Sequence, residues 1–239
     1  HTPIAQAFFS QHLPNHLKPL VALERLQRAD RTSTDAQLTQ RHRDISYEAP
    51  LEEDSTLLLC AEHQGKPELM MLVRLLRYDA DGIEAYVQRH QKWPVVVNIV
   101  FTQAPSWPSP STTQEAYECP ALGVQELSIR YHLVQIQNYS DHEVLGHGCC
   151  APMELLIKHS ESGRFELEAR AYRTAFEACL EEVGEEYLET MLAYAVSLSR
   201  PEAGKKMFDF ISEVLIDKKD MIMTYGQQLR QEAMEQGMQ

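Results

Sequence analysis

The stretch TLLLCAEHQGKPELMMLVRLLRY, residues 56–78, constrains the fold more than any other part of the sequence. Its apolar run Leu57–Ala61 predicts a buried strand, and after a short polar segment the apolar residues recur at the spacing of an amphipathic helix. A buried strand followed at once by such a helix predicts an α/β fold. Between the two stand Glu62, His63 and Gln64, which raises the question of what an acid, an imidazole and an amide do at the end of a buried strand.

The rest of the N-terminal half also alternates between strand and helix patterns. In Arg43–Pro50, apolar and polar residues alternate with the period of two that is typical of a half-buried strand. The β-branched run in Trp93–Phe101 predicts a buried strand. The predicted elements are helices at 3–13 and 67–90, strands at 43–50, 56–62, 93–101 and 126–136, and a surface loop rich in Pro, Ser and Thr at 103–120.

The C-terminal half contains almost no strand pattern. The amphipathic helices that we predict there are 152–159, 166–182, 185–199 and 203–236, with Pro201 marking a break. We therefore predict an α/β domain at residues 1–150 and a helical region at residues 151–239. The methionine-rich end of this region is typical of a packing or oligomerisation helix.

Composition limits the class of protein. The 239 residues are enough for one large domain or for a medium domain with an appendage. A net charge of −13 argues against tight non-specific binding to nucleic acid, because such binding needs a basic surface. The number of cysteines, five, is odd, and their positions do not suggest a disulfide framework. A reducing compartment, the cytoplasm, is therefore the predicted location. No apolar stretch approaches the ~20 residues of a membrane span, and no signal-peptide pattern is visible.

A hairpin centred near Glu53 would place Asp44 directly opposite Glu62. Opposed side chains on one face of a sheet have Cβ atoms ~5 Å apart, and two carboxylates so placed repel each other unless a cation such as Mg²⁺ or Mn²⁺ compensates. Gln64 shares the face of Glu62, whereas the His63 side chain points the other way, so that only its backbone carbonyl can turn towards a metal. On spacing alone, two solvated strand ends explain the pair equally well, and a register shift of one residue would separate the acids.

The segment DHEVLGHGCC, residues 141–150, resembles a metal motif only at first sight. His142 and His147 are five residues apart, whereas a zinc site on a helix of the HExxH type needs a spacing of four. Gly146 and Gly148 also argue against a regular helix, so we predict a structural or loop role. The sequence contains no Gly-x-Ser-x-Gly elbow, Walker A motif or Rossmann glycine pattern.

Several motifs in the same order resemble those of the recombination-promoting nucleases, the Rpn family, which is also described as a family of putative transposases within the PD-(D/E)xK nuclease superfamily. The motifs that carry the resemblance are FFSQHLP, QRHRDISYEA, CAEHQGKPELMMLVRLLRY, KWPVVVNIVF, CCAPMELLIKH and DMIMTYGQQLRQEAMEQGMQ. Together they cover nearly the whole chain. The resemblance implies a PD-(D/E)xK restriction-endonuclease-like core, with a mixed sheet flanked by helices, at residues 1–150.

The resemblance also implies a role for individual residues. Asp44 matches the metal-binding acid of the first motif strand, and Glu62 matches the acid of the E-x-K motif. Gln64 stands where most of the superfamily has lysine, and the backbone carbonyl of His63 would be a further metal ligand. The implied cofactor is Mg²⁺, with Mn²⁺ as the alternative.

Four further residues are candidates for contacts with phosphate or with the motif acids. They are Arg43, Arg74, Arg77 and Tyr78. Arg74 and Tyr78 lie four residues apart and therefore share one face of the predicted helix. An arginine on the helix surface and a tyrosine at the edge of the core are the alternative interpretation.

The sequence therefore predicts a Mg²⁺-dependent DNA endonuclease linked to recombination or mobile DNA. The alternative is a protein of the same fold with little or no cleavage that acts in DNA or protein binding. The predicted partner is DNA, and a homodimer through the C-terminal helices follows from double-strand cutting by related nucleases. No membrane association is expected.

Overall fold

The computed structural model of the chain describes residues 2–29, 45–51, 55–121, 128–199 and 201–226. These residues divide into two compact units. Thr2 and Phe9–Ile136 form the first, the sheet unit. Pro3–Phe8 and the described residues from Gln137 onward form the second, the helical unit. The domain boundaries at 1–150 and 151–239 stay a prediction.

The sheet unit contains a mixed sheet in which the described strands stand in chain order. These strands are β1 (Gln27–Arg28), β2 (Ile45–Pro50), β3 (Thr56–His63), β4 (Val95–Thr102) and β5 (His132–Gln135). Neighbours among β1, β2 and β3 are antiparallel, whereas β3, β4 and β5 run parallel. Helices α2 (Met71–His90) and α3 (Thr113–Ala116) belong to the sheet unit, whereas the residues of α1 (Thr2–His12) are divided between the two units.

The register of the β2–β3 hairpin agrees with the prediction as far as the structure describes it. Ile45 pairs with Ala61 at the end of the described ladder. Asp44, the predicted partner of Glu62, lies outside the described residues, so that the pairing of the two acids stays a prediction.

Helix α2 covers the sheet face on which Glu62 lies. Its buried residues Met71, Leu72 and Leu75 pack with Val100 of β4. Because Val100 is the β4 partner of Glu62, this packing holds the first turns of α2 beside the end of β3. A βαβ unit, β3–α2–β4, thus fixes both the strand end and the helix that faces it.

Helix α2 begins at Met71 rather than near Pro67, where the sequence predicts its start. Met70 has φ −88° and ψ 13°, outside the helical region, and residues 65–70 form an irregular connection. Proline is tolerated in a first helical turn but does not compel one. Tertiary packing of Met71 therefore decides where the helix starts.

The helical unit confirms the all-helical prediction for the C-terminal half. Its helices within the described residues are α4 (Asp141–Leu145), α5 (Ala151–Lys158), α6 (Ala169–Val183), α7 (Glu186–Leu198) and α8 (Pro201–Val214). The single helix predicted at 203–236 is wrong, because α8 ends at Val214 and buried Leu215 adopts φ −107° and ψ 61°. A short 3-10 turn follows at Ile216–Lys218, and residues 219–226 are helical again.

The predicted fold class, α/β with a helical C-terminal region, is confirmed. Within the described ranges, no helix combines the length and the apolar character needed to cross a membrane.

Candidate active site at the end of strand β3

Glu62 occupies the last buried position of β3. Its side chain is 8% exposed, and it lies between the antiparallel and the parallel part of the sheet, beside Val100 of β4. A carboxylate is rarely buried to this extent without a charged partner, because burial disfavours the charged form. The partner comes from the first turn of α2.

Arg74 is that partner, and it joins three residues. One terminal nitrogen, Nη2, donates to Glu62 Oε1 and to Gln64 Oε1, both at 2.8 Å. The other, Nη1, lies 2.8 Å from Glu68 Oε2. The Arg74 side chain is 28% exposed, and its buried Nε has no hydrogen-bond partner among the described residues. The planar fork of arginine thus ties the end of β3 to the start of α2.

The contact with Arg74 fixes the orientation of the Gln64 amide. Because the guanidinium can only donate, it must meet the amide oxygen of Gln64, and the amide N–H₂ group is left to face away from it. The backbone N–H of Gln64 donates to the carbonyl of Phe101 at 2.9 Å, which continues the β3–β4 pairing beyond the end of the strand. Gln64 is therefore held as a hydrogen-bond donor on the face of the sheet that carries Glu62.

The His63 side chain lies on the opposite face, as the alternation of side chains along β3 predicts. Its Nε2 lies 2.7 Å from Gln103 Oε1, and its ring packs against that of Phe101 with centroids 6.2 Å apart. The imidazole is thus engaged away from Glu62. The role of the His63 backbone carbonyl as a metal ligand stays a prediction.

The remaining predicted site residues fall into two groups. Asp44 and Arg43 lie outside the described residues. Arg77 is exposed on α2, and Tyr78 packs at the edge of the cluster formed by α2 and β4. Of the predicted supporting residues that the structure describes, Arg74 contacts the motif acid.

The donor set at this strand end fits a hard divalent cation. The Glu62 carboxylate and the His63 backbone carbonyl are oxygen donors, which Mg²⁺ and Mn²⁺ prefer over nitrogen or sulfur. Arg74 already supplies positive charge to Glu62, so that a metal here would share the carboxylate with a guanidinium. The described oxygen donors are of the type that the predicted metal prefers, but the guanidinium competes with a metal for the Glu62 carboxylate, and the metal itself stays a prediction.

A second cluster of charged groups, which sequence reasoning missed, surrounds Asp141 at the start of α4. Asp141 is fully buried, and Lys158 Nζ donates to its Oδ1 at 2.6 Å. His159 Nε2 lies 2.8 Å from the same oxygen, and the Tyr172 hydroxyl donates to Oδ2. Burial alone would raise the pKa of Asp141, but hydrogen bonds from His159, Lys158, Tyr172 and the Glu166 backbone outweigh it and hold that pKa far below its ordinary value.

The Asp141 cluster contains ligand-type atoms, but its geometry is that of an ion-pair network. Asp141, His159 and Glu166 each offer one such atom, and these lie within 4.8 Å of one another. However, Lys158 Nζ lies 2.6 Å from Asp141 and 2.5 Å from Glu166, so that an ammonium group already compensates both carboxylates. This network supports the structural role that the sequence predicts for residues 141–150. Ser140-x-x-Glu143, a capping-box pattern, is the one local signal for α4.

Comparison with known proteins connects the chain to one family. Residues 1–182 match the model of the family described as "Putative transposase, YhgA-like". The chain is 29% identical over 163 residues to "Recombination-promoting nuclease RpnC" of Escherichia coli strain K12. The aligned region covers 66% of this chain and 54% of RpnC. The chain thus spans about half the length of that relative.

Two other relatives from the same strain match almost the whole chain. The "Inactive recombination-promoting nuclease-like protein RpnE" is 26% identical over 243 residues, 98% of this chain and 79% of RpnE. "Recombination-promoting nuclease RpnA" is 22% identical over 237 residues, 95% of this chain and 79% of RpnA. No solved structure matches the chain significantly.

Proposed function

The chain belongs to the YhgA-like family of putative transposases, the Rpn family, and from this membership we propose that it is a metal-dependent endonuclease that hydrolyses phosphodiester bonds of DNA during recombination. Relatives are named recombination-promoting nucleases, which supports a nuclease role in recombination. The observation that carries the proposal is the Glu62–Gln64–Arg74 arrangement at the end of β3.

Three groups would hold the metal in this proposal. They are the carboxylates of Asp44 and Glu62 and the backbone carbonyl of His63. A bound Mg²⁺ would supply Lewis-acid stabilisation of the phosphodiester and would lower the pKa of a water molecule. Arg74 holds the Glu62 carboxylate in a fixed position, which would orient it towards a metal at this strand end.

Gln64 and Arg74 together replace the lysine that most of the superfamily has at position 64. In that role lysine contributes both a hydrogen-bond donor and a positive charge. Here the Gln64 N–H₂ group contributes the donor, because Arg74 holds its oxygen. Arg74 contributes the charge, 2.8 Å from Glu62. Preorganised donors and charges of this kind stabilise the negative charge that develops when a phosphodiester is attacked.

The second candidate is a nuclease-fold protein that binds DNA or protein without cutting. RpnE, which matches 98% of this chain, is named as inactive. The ion pair between Arg74 and Glu62 also favours this candidate, because it competes with a metal for the same carboxylate. Dimerisation through the C-terminal helices remains a further proposal, which sedimentation of the full chain tests.

A plasmid-nicking assay with Mg²⁺ or Mn²⁺ tests the proposal. We expect the wild type to nick plasmid, and Glu62→Ala and Asp44→Ala to lose at least about 100-fold of the rate, as enzymes do when a key electrostatic group is removed. Glu84→Ala is the matched control, because it removes an exposed acid of α2 that accepts a hydrogen bond from Gln88 on the same helix.

Each outcome of this assay discriminates between the two candidates. Equal nicking by the wild type, Glu62→Ala and Asp44→Ala would reject the proposed site. Failure of the full-length wild type to nick, with DNA binding retained in a gel-shift assay, would favour the binding protein. Loss of activity in Glu84→Ala as well would indicate a non-specific effect of removing acids from this unit.

A further inference from the structure

Three large apolar side chains that follow Glu62 and Gln64 in the sequence are exposed to solvent. Leu69 is 75% exposed, Met70 55% and Val73 36%. We call these residues the apolar ridge. Single exposed apolar residues are ordinary, but a contiguous group beside a polar site is typical of an interaction surface.

The apolar ridge is held rigidly by its neighbours. Met71 and Leu72, which directly follow Met70, are buried in the core of the sheet unit. The backbone N–H of Met71 donates to the carbonyl of Glu68 at 3.2 Å, and that of Arg74 to the carbonyl of Met70 at 3.0 Å. The backbone that carries the ridge is therefore anchored to the core of the sheet unit.

The apolar ridge and the proposed active site share one arginine. Arg74 contacts Glu62 and Gln64 with one nitrogen and Glu68 with the other, each at 2.8 Å. Leu69 follows Glu68 directly. The ridge therefore begins directly after a residue that shares the Arg74 guanidinium with Glu62 and Gln64.

The charges around the apolar ridge differ in sign from the chain as a whole. Exposed Lys66 precedes the ridge and exposed Arg77 follows it, whereas Glu68 is paired with Arg74. In a chain with a net charge of −13, two exposed cations beside the ridge favour an anionic partner. An apolar wedge flanked by cations is the arrangement with which proteins open a base step of DNA while holding its phosphates.

We propose that Leu69 and Met70 insert into a base step of duplex DNA and unstack it, while Lys66 and Arg77 hold the phosphates on either side. The proposal rests on the proposed function, since it takes the DNA bound at Glu62 as the partner. It adds the class of substrate that the site prefers: duplexes with a step that is easily unstacked, such as a mismatch or a flexible pyrimidine–purine step.

Fluorescence of 2-aminopurine tests the insertion directly. Duplexes carry the probe at successive positions on either side of a single mismatch, and Ca²⁺ replaces Mg²⁺ so that the DNA stays intact. With the full chain we expect about a threefold rise in fluorescence at one or two adjacent positions, since an inserted side chain removes base stacking. The Leu69→Ala/Met70→Ala variant should lose this rise and bind the duplex about tenfold more weakly by fluorescence anisotropy.

The matched control is Trp93→Ala/Val95→Ala. These residues are 79% and 60% exposed, so that a comparable apolar area is removed. Val95 pairs with Leu57, at the opposite end of the parallel β3–β4 pair from Glu62. We expect this control to unstack and bind DNA as the wild type does.

The same experiment separates failure of this proposal from failure of the nuclease proposal. Nicking without a rise in 2-aminopurine fluorescence would reject insertion and keep the nuclease. A rise that depends on Leu69 and Met70, without nicking in Mg²⁺, would keep insertion and reject the nuclease. A rise that persists in the double variant would reject the ridge as its cause. Self-association in the absence of DNA, lost in the double variant and kept in the control, would show that a second copy of the chain covers the ridge and would also overturn the proposal.

Discussion

Two buried carboxylates show how the same kind of group is used in two ways. Asp141, in the helical unit, accepts hydrogen bonds from an ammonium, an imidazole, a phenol and a backbone amide, and is 0% exposed. Glu62, in the sheet unit, is paired with the guanidinium of Arg74, which is itself 28% exposed. The first carboxylate is surrounded by protein donors, whereas the second lies beside a partner that solvent can reach.

The difference in solvent access determines whether each cluster can bind a ligand. Around Asp141, any incoming ligand would have to displace a buried ammonium, which costs more than most ligands return. Around Glu62, a phosphate can approach the solvent-facing part of the Arg74 side chain, which is 28% exposed. We therefore expect substitutions at Asp141 to change stability, and substitutions at the Glu62 site to change activity.

The largest expected effect is the loss of stability in Asp141→Asn. The neutral amide leaves Lys158 buried with only Glu166 as its carboxylate partner, and its N–H₂ group faces donors. Removing one member of a buried ion pair typically costs about 3–5 kcal/mol, so we expect a loss of about 4 kcal/mol in the free energy of unfolding. Urea unfolding followed by circular dichroism measures it.

Glu161→Gln is the control for Asp141→Asn. Glu161 is exposed in the same unit, and its neutralisation should change the free energy of unfolding by less than about 0.5 kcal/mol. A loss below about 1 kcal/mol in Asp141→Asn would contradict the view that Asp141 organises the helical unit.

Arg74→Met should lower activity and, to a smaller extent than Asp141→Asn, stability. Because the variant leaves the Glu62 carboxylate, which is 8% exposed, without its cation, we expect a loss of about 2 kcal/mol in the free energy of unfolding. The rate of plasmid nicking should fall about 100-fold, as it does when one preorganised donor is removed from an active site. Arg74→Lys keeps the charge but cannot reach three partners at once, so its rate should lie between the two.

Arg89→Met is the matched control for Arg74→Met. Arg89 lies on the same helix and forms an ion pair with Glu48 at 2.7 Å, away from Glu62. Its removal should leave the nicking rate unchanged. Nicking at the wild-type rate by Arg74→Met would show that Arg74 only neutralises Glu62 and takes no part in cleavage.

The sequence brought Glu62, Gln64 and Arg74 together but not Asp141 and its partners, for a physical reason. Strand β3, helix α2 and strand β4 follow from local hydrophobic patterns, and Glu62, Gln64 and Arg74 stand within that one βαβ unit. The partners of Asp141 are 17 to 31 residues away along the chain. No local pattern brings such partners together, because their contacts depend on how the helices pack.

The sequence also failed to predict one end of each of two helices, α8 and α2. Leu215 interrupts the predicted helix at 203–236 although neither Gly nor Pro is present there, since burial of Leu215 overrides its helix propensity. Helix α2 starts later than predicted, at buried Met71, and the exposure of Leu69 and Met70 could not be read from an apolar pattern that predicts burial. Both errors arise where tertiary packing outweighs local preference.

Lowering the pH should reduce the difference in free energy of unfolding between the wild type and Asp141→Asn. The pKa of Asp141 is lowered in the folded protein, so its stabilising contribution is complete above the pKa of the unfolded chain, about 4, and is lost as the pH falls through the folded value. The gap in free energy of unfolding should stay constant from about pH 7 to pH 5 and shrink below about pH 4. Urea unfolding of both proteins at several pH values measures it, and a gap that persists unchanged at about pH 3 would contradict the assignment.

The smallest expected effect concerns the turn that presents Asp141. Ser140 caps α4: its hydroxyl accepts from the backbone N–H of Glu143 at 3.2 Å, and its own backbone N–H donates to the Glu143 carboxylate at 2.7 Å. Ser140→Ala should cost about 1 kcal/mol in the free energy of unfolding, and Ser140→Asp, which keeps a cap acceptor, should restore most of it. Since the cap acts on Asp141 only through the backbone, the nicking rate of both variants should equal that of the wild type. A lower rate at unchanged stability would mean that the helical unit contributes to cleavage, and that the division between a structural and a functional carboxylate is too sharp.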